Sequence, residues 1–263
     1  MNEITTRTVD VRPGLPLTIA EGGAGRVALV LHGGGGPATV QGLVAHLAQR
    51  MHVIAPIHPG WMGTERPAWF TGVDDLALAY LHLLKDAGHR DVLVVGSSIG
   101  GWIACEMAVR DDGELISGLV LVNAGGIAVE GEPIRDVFAL DPRGLTELSF
   151  HDPNRFFVDP ATLPEAQQAG RRANAATLRI IAGDPYMHDP KLRRRLGRVQ
   201  VPALVVWGAS DRVITPAYGR ALAAAMPSAR FELIAEAGHL PHLEQPRATF
   251  EAIDAFLAAP VRA

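Results

Sequence analysis

The chain has 263 residues, 48% hydrophobic and 20% charged, enough apolar content for one large domain or one domain with an insertion. Its formal net charge of −4 excludes the basic field that nucleic acid or an anionic membrane surface selects. The single cysteine, Cys105, cannot form an internal disulfide. The segment with Glu3, Arg7, Asp10 and Arg12 has no apolar signal core, and no run of about 18 uncharged apolar residues exists. The expectation is a cytoplasmic protein without a membrane span.

Val9–Val11 and Leu17–Ile19 read as arms of a hairpin turning at Pro13-Gly14. From residue 26 onward apolar strand runs alternate with helical patterns. Strands are predicted near 26–31, 52–57, 91–96, 117–123, 202–207 and 229–234, and helices near 38–50, 73–88, 99–110, 216–226 and 243–258. This alternation predicts an α/β fold with a mostly parallel central sheet flanked by helices. Between Asn123 and Val201 the alternation stops, and prolines punctuate short helical stretches. A structureless loop of that length is implausible in a compact domain. The expected organisation is a core of residues 1–124 and 200–263 carrying a helical cap, 125–199.

Gly96-Ser97-Ser98-Ile99-Gly100 follows the apolar run Val92–Val95 and precedes the helical pattern starting at Gly101. Strand, sharp turn and helix are the setting of a nucleophile elbow, with small residues two before and two after the exposed serine. That spacing centres on Ser98 as candidate nucleophile and leaves Ser97 as a packing residue. A serine hydroxyl needs a base and a group to orient that base. His239 lies on a loop between a strand and a helix near the C-terminus, and Asp211 follows the apolar strand Val205–Trp207 after a Gly turn. Taken alone, each is an ordinary loop histidine or turn aspartate. Together they stand in the order Ser, Asp, His.

A glycine-rich loop, His32-Gly33-Gly34-Gly35-Gly36, follows the strand Arg26–Leu31. With the N–H of Ile99, its backbone N–H groups could bind a developing oxyanion. The same loop formally fits a dinucleotide fingerprint, but the next strand ends without the required acid, and no G-K-[ST] is present. His239 and His242 have no third ligand cluster, so neither metal nor cofactor is expected.

His32-Gly33-Gly34, His58-Pro59-Gly60-Trp61, the elbow, Trp207-Gly208-Ala209-Ser210-Asp211-Arg212 and Ala237-Gly238-His239 together resemble the α/β-hydrolase superfamily over nearly the whole chain. The resemblance implies Ser98 as nucleophile, His239 as base and Asp211 as orienting acid. It also implies Ile99, Gly34 and, secondarily, Gly33 as oxyanion donors. Serine at the elbow departs from the aspartate-based dehalogenase and epoxide hydrolase branches. Trp61, Trp69, Phe70, Trp102, Phe138, Phe157 and Leu240 are expected among residues lining an apolar or aromatic acyl pocket. An inward-facing Arg171, Arg172 or Arg179 would instead indicate a carboxylate-bearing substrate.

Hydrolysis of a carboxylic ester or lactone is the first expectation. Carbon–carbon bond hydrolysis of the meta-cleavage type is the alternative, although Leu240 stands where many such enzymes have tryptophan. A non-catalytic ligand-binding or receptor protein on the same fold is the reading from another class. The expected partner is a small apolar acyl compound, with a homodimer as an open possibility.

Overall fold

The computed structural model describes residues 4–259. Among them, β1 (Thr5–Arg12), β2 (Leu15–Gly22), β3 (Val27–Leu31), β4 (His52–Pro56), β5 (Val92–Ser97), β6 (Ile116–Val122), β7 (Ala203–Gly208) and β8 (Ala229–Ile234) form one sheet. Its order is β1-β2-β4-β3-β5-β6-β7-β8. The first two strands form the antiparallel hairpin, whose turn places Gly14 at φ +76°, a conformation open to glycine without strain. β2 pairs antiparallel with β4, and the remaining pairs are parallel. The chain thus has the α/β-hydrolase fold.

The helices are α1 (Gln41–Leu47), α2 (Val73–Asp86), α3 (Ile99–Ala108), α4 (Pro142–Ser149), α5 (Pro153–Phe156), α6 (Glu165–Ile181), α7 (Leu192–Arg195), α8 (Pro216–Ala224), α9 (Pro241–Glu244) and α10 (Pro246–Ala258). None is long and apolar enough to cross a membrane.

Every residue of β3, β5 and β7 is buried, as strands covered on both faces must be. Along β3, β5, β6 and β7 the side chains alternate between two cores. Leu29, Leu31, Val94, Leu121 and Val205 pack with α2, α3 and α8, whereas Val30, Val95, Val120 and Val206 pack with α1 and α10. All ten residues of α3 are buried.

Two expected helices are interrupted. The helix expected over 38–50 starts as a 3₁₀ turn, Pro37–Val40, because Gly36 at φ +91° turns the chain just before it. The helix expected over 243–258 breaks at Gln245, which takes a non-helical conformation, φ −128° and ψ 61°, ahead of Pro246.

Strand register puts the site at one edge. Leu31 pairs with Gly96, Gly96 with Leu121, and Val122 with Val206, so the loops after β3, β5, β6 and β7 leave the sheet together. Among the described residues, no strand of the sheet falls between Val122 and Ala203. That segment carries α4 to α7. Asp141 and Asp152 accept from Gly144 and Arg155 to start α4 and α5.

The longest helix of the segment, α6, buries Gly170, Asn174, Thr177, Leu178 and Ile181, one stripe at helical spacing. This stripe lies against the turn Trp61–Gly63 and the glycine-rich loop. Asn174 accepts from Met62 N–H, and Thr177 donates to Gly60 O. The last carbonyls of α4 are taken up by the loops after β7 and β8: Leu148 O accepts from Arg212 N–H at 3.1 Å and Ser149 O from His239 N–H at 2.6 Å.

Candidate active site

The turn from β5 into α3 holds Ser98 at φ 57°, ψ −120°, a strained conformation for a residue with a side chain. Hydrogen bonds hold it there: Ser98 N–H donates to Val122 O at 2.9 Å, and its carbonyl accepts from Gly101 and Gly125. A β-carbon at Gly96 would lie 2.3 Å from Gly100 O, and one at Gly100 would lie 2.3 Å from Leu31 O. Both positions flanking the elbow therefore exclude a side chain. Ser97 is fully buried, in keeping with a packing role.

His239 joins two residues far away in sequence. Its Nδ1 lies 2.8 Å from Asp211 Oδ2 and its Nε2 lies 3.0 Å from Ser98 Oγ. A carboxylate only accepts, so Nδ1 carries the proton and Nε2 receives the serine O–H. A hydroxyl held by an imidazole that a carboxylate orients is the arrangement that makes serine a nucleophile.

Asp211 is 2% exposed and takes four donors. Val213 and Ile214 N–H groups reach Oδ1 at 2.8 and 3.0 Å, while His239 and the Asn123 side-chain amide reach Oδ2. Asn123 is itself fully buried, sits at φ +46°, and accepts Gly208 N–H through Oδ1. A second buried carboxylate, Glu244 on α9, supports the His239 loop. It accepts from Gly238 N–H at 2.5 Å, His151 N–H at 2.9 Å and Asp152 N–H at 3.1 Å.

The glycine-rich loop lies over the serine, since a β-carbon on Gly33 would sit 3.1 Å from Ser98 Cβ. Side chains hold its successive carbonyls. His58 Nε2 lies 2.9 Å from His32 O, His32 Nδ1 2.7 Å from Gly33 O, Trp61 Nε1 3.0 Å from Gly34 O and Asn174 Nδ2 3.1 Å from Gly35 O. In a trans peptide the C=O and N–H point in opposite directions, so each held carbonyl aims the next N–H the other way. Burial lowers the His32 pKa to about 4 and that of His58 well below its ordinary value, so both rings are neutral at pH 7. Ile99, the first residue of α3, has an N–H with no acceptor within the helix.

Ser98, His239 and Asp211 thus come together, with Gly33, Gly34 and Ile99 adjoining the serine or its loop. The aromatic expectations need correction. Trp61 is wholly buried, and its indole N–H is spent on Gly34 O, which makes it a prop of the loop rather than a pocket wall. Trp102 packs beneath Gly126, where an added β-carbon would lie 2.4 Å from the ring, and its indole N–H donates to Glu106. Phe70 is buried in the core, and Trp69 is 61% exposed.

Phe138 is half-buried beneath the Arg179 guanidinium and edge-on to Tyr186. Phe157 lies under Arg143, and Leu240 caps α9 half-buried. Arg171, Arg172 and Arg179 are all exposed. His242 Nε2 donates to Thr39 O at 2.7 Å. A cavity of about 410 Å³ opens beside Asp211, lined by Phe150, His151, Ala209, Ser210 and Arg212.

Sequence reasoning missed Asn123, Glu244, His58, Asn174 and Leu178. Only His58 stood within a quoted motif. A β-carbon added to Gly34 would lie 2.7 Å from a methyl of Leu178, which brings α6 onto the loop.

Residues 28–252 match the model of the alpha/beta hydrolase family, and the chain belongs to that family. It is 28% identical over 261 residues to a 2-hydroxy-6-oxo-6-(2'-aminophenyl)hexa-2,4-dienoic acid hydrolase from Metapseudomonas resinovorans, covering 93% of this chain and 88% of that one. It is 24% identical over 272 residues to Lipase 1 of Psychrobacter immobilis, covering 97% and 84% of the two chains. A crystal structure of a serine hydrolase involved in carbazole degradation superposes with a TM-score of 0.78 at 24% identity, covering 97% of this chain and 99% of that one.

Proposed function

We propose that this α/β-hydrolase is a serine hydrolase that cleaves a carboxylic ester or lactone through an acyl-enzyme on Ser98. The observation that carries the reading is the continuous row from Ser98 Oγ through the His239 ring to Asp211 Oδ2, at 3.0 and 2.8 Å. Ser98 attacks the carbonyl carbon as His239 Nε2 takes its proton, and Asp211 stabilises the imidazolium. N–H groups of Ile99 and Gly34, with Gly33 beside them, hold the oxyanion. His239 returns the proton to the departing alkoxide. Water, deprotonated by the same imidazole, then releases the acid and restores Ser98.

An uncharged acyl group suits the surroundings. Leu178 covers Gly34, and Ile134 and Met187 would meet a β-carbon at Gly125, whose N–H bonds the Ser98 carbonyl. Residues 125–199 act as a cap in this reading. Similarity to the dienoic acid hydrolase favours a second reading, carbon–carbon bond hydrolysis. That substrate class carries a carboxylate, and the exposure of Arg171, Arg172 and Arg179 weighs against it.

A fluorophosphonate probe, followed by peptide mapping, and a panel of p-nitrophenyl esters, lactones and dienoate acids test the reading. Labelling at Ser98 with ester or lactone turnover that Ser98→Ala abolishes is expected. Faster dienoate turnover would favour carbon–carbon cleavage; absence of both labelling and turnover would favour a binding protein.

A further inference from the structure

Beneath the glycine-rich loop runs a buried polar chain that the proposed chemistry does not use directly. The Tyr80 hydroxyl on α2 lies 2.5 Å from His58 Nδ1. His58 Nε2 lies 2.9 Å from His32 O, and His58 N–H donates to His32 Nε2 at 3.1 Å. His32 Nδ1 lies 2.7 Å from Gly33 O. Tyr80, His58 and His32 are all fully buried, so none of these groups can exchange its partner for bulk water.

The direction of every bond follows from its ends. A carbonyl only accepts, so His58 Nε2 carries that ring's proton and Nδ1 is left as an acceptor. The partner of Nδ1 must therefore donate, and burial, which raises the Tyr80 pKa well above its ordinary value, keeps the phenol protonated. His32 has the opposite tautomer: its Nε2 accepts from His58 N–H, and its Nδ1–H donates to Gly33 O. The two neutral rings lie 3.7 Å apart between centroids, and each tautomer is fixed by its own hydrogen-bond partners.

This order has a consequence at the serine. Held by His58, the carbonyl of His32 fixes the N–H of Gly33 in the opposite direction within the same peptide plane. A β-carbon at Gly33 would lie 3.8 Å from Ser98 Oγ, so this peptide borders the reacting hydroxyl. We propose that Tyr80 and His58 are positioning residues of the Ser98 site, and that the Tyr80 hydroxyl locks His58 in the Nε2–H form that aims the Gly33 N–H at the developing oxyanion. The inference rests on the acyl-enzyme reading above. Without the hydroxyl, His58 can take the Nδ1–H form, which sets a lone pair against His32 O and releases that peptide.

The test compares wild-type protein with Tyr80→Phe, His58→Leu and His58→Gln on p-nitrophenyl butyrate, together with inhibition by an alkyl boronic acid. The boronate forms a tetrahedral serine adduct. Tyr80→Phe is expected to lower kcat about 10- to 100-fold, short of or reaching the ~10²-fold cost of losing a whole donor, with KM within about twofold. Boronate affinity should weaken in step, and fluorophosphonate should still label Ser98. His58→Leu should behave at least as badly. His58→Gln should recover part of the loss, because its amide can accept from Tyr80 and donate to His32 O.

Tyr80→Phe with wild-type kcat and boronate affinity, or a lowered Tm alone, overturns the proposal. A wild-type protein that the probe never labels at Ser98 overturns the acyl-enzyme reading and this inference with it. Nitrogen-15 NMR of the wild-type rings answers the question independently of any variant's folding. His58 in the Nε2–H form and His32 in the Nδ1–H form are expected, and the reverse for His58 sinks the idea.

Discussion

Asn123 donates its side-chain amide to Asp211 Oδ2 at 2.6 Å, the same oxygen that receives His239 at 2.8 Å. The asparagine lies at the end of β6 in a left-handed backbone conformation, and its other amide atom receives Gly208 N–H from the end of β7. It therefore fixes where the carboxylate stands relative to both strands. Asn123→Ala should lower kcat about tenfold and cost on the order of 1–3 kcal/mol, the penalty for leaving Gly208 N–H unpaired in the interior. Asp211→Asn, which keeps one acceptor oxygen but sets an NH2 donor against His239 Nδ1 and so forces the wrong tautomer, should cost on the order of 10⁴ in turnover. Ester kinetics alongside thermal melts separate the two effects, and Asn123→Ala with unchanged kcat would reduce the residue to a packing role.

Glu244 links three backbone N–H groups, one beside His239 and two at the start of α5. Glu244→Ala strands these donors and should destabilise by about 3 kcal/mol or more. Activity should also fall at temperatures where the variant remains folded, because Gly238 directly precedes His239, the base of the proposed mechanism. Glu244→Gln keeps one acceptor oxygen and should fall between the two. Urea titration followed by assay well below the midpoint measures both losses.

Stability should decline as pH falls below neutrality. Burial lowers the His32 and His242 pKa values from 6.5 to about 4, and it lowers that of His58 well below 6.5. Between about 6.5 and 4 the unfolded chain holds protons that the folded chain does not. Each ring therefore contributes stability that is complete above the unfolded pKa and is lost as acid approaches the folded one. The slope is about 1.4 kcal/mol per pH unit for each histidine. Denaturant melts at pH 7, 6 and 5 should show this fall, with a shallower slope in His242→Gln. A flat profile across that window would contradict the neutral burial of these rings.

Ser98 trades stability for position. Glycine accepts φ 57° with ψ −120° far more readily than serine, so Ser98→Gly should relieve strain of about 1–3 kcal/mol, partly offset by greater unfolded-chain entropy. A net rise in Tm with complete loss of fluorophosphonate labelling is expected. A fall in Tm would mean that the turn is not strained by the side chain.

The parallel strands were legible because buried strands read as continuous apolar runs, and the site loops were legible because they follow those runs. Ser98, Asp211 and His239 carried local signatures: flanking glycines, a Gly turn, a strand–loop–helix setting. Asn123 carried none. Its partner lies 88 residues away, and nothing near the end of β6 marks an asparagine as facing that carboxylate. Trp61 failed for a related reason. An indole after a strand looks the same in sequence whether its ring lines a pocket or its N–H braces a backbone carbonyl. Gln245 shows a third limit, since Pro246 could begin one helix or split a longer one, and tertiary packing decided for the split.

Asn174 holds the carbonyl of Gly35 from α6, in the segment between β6 and β7, while Trp61 and His58 hold neighbouring carbonyls from the loop after β4. The glycine-rich loop is thus a composite part, shaped jointly by two stretches far apart in the chain. Replacing the β6–β7 segment with that of a relative would leave Gly35 without its brace unless the graft brought an amide to the same spot. Diversification of such chains by exchange of that segment should accordingly favour donors in which that amide and the loop travel as a matched pair.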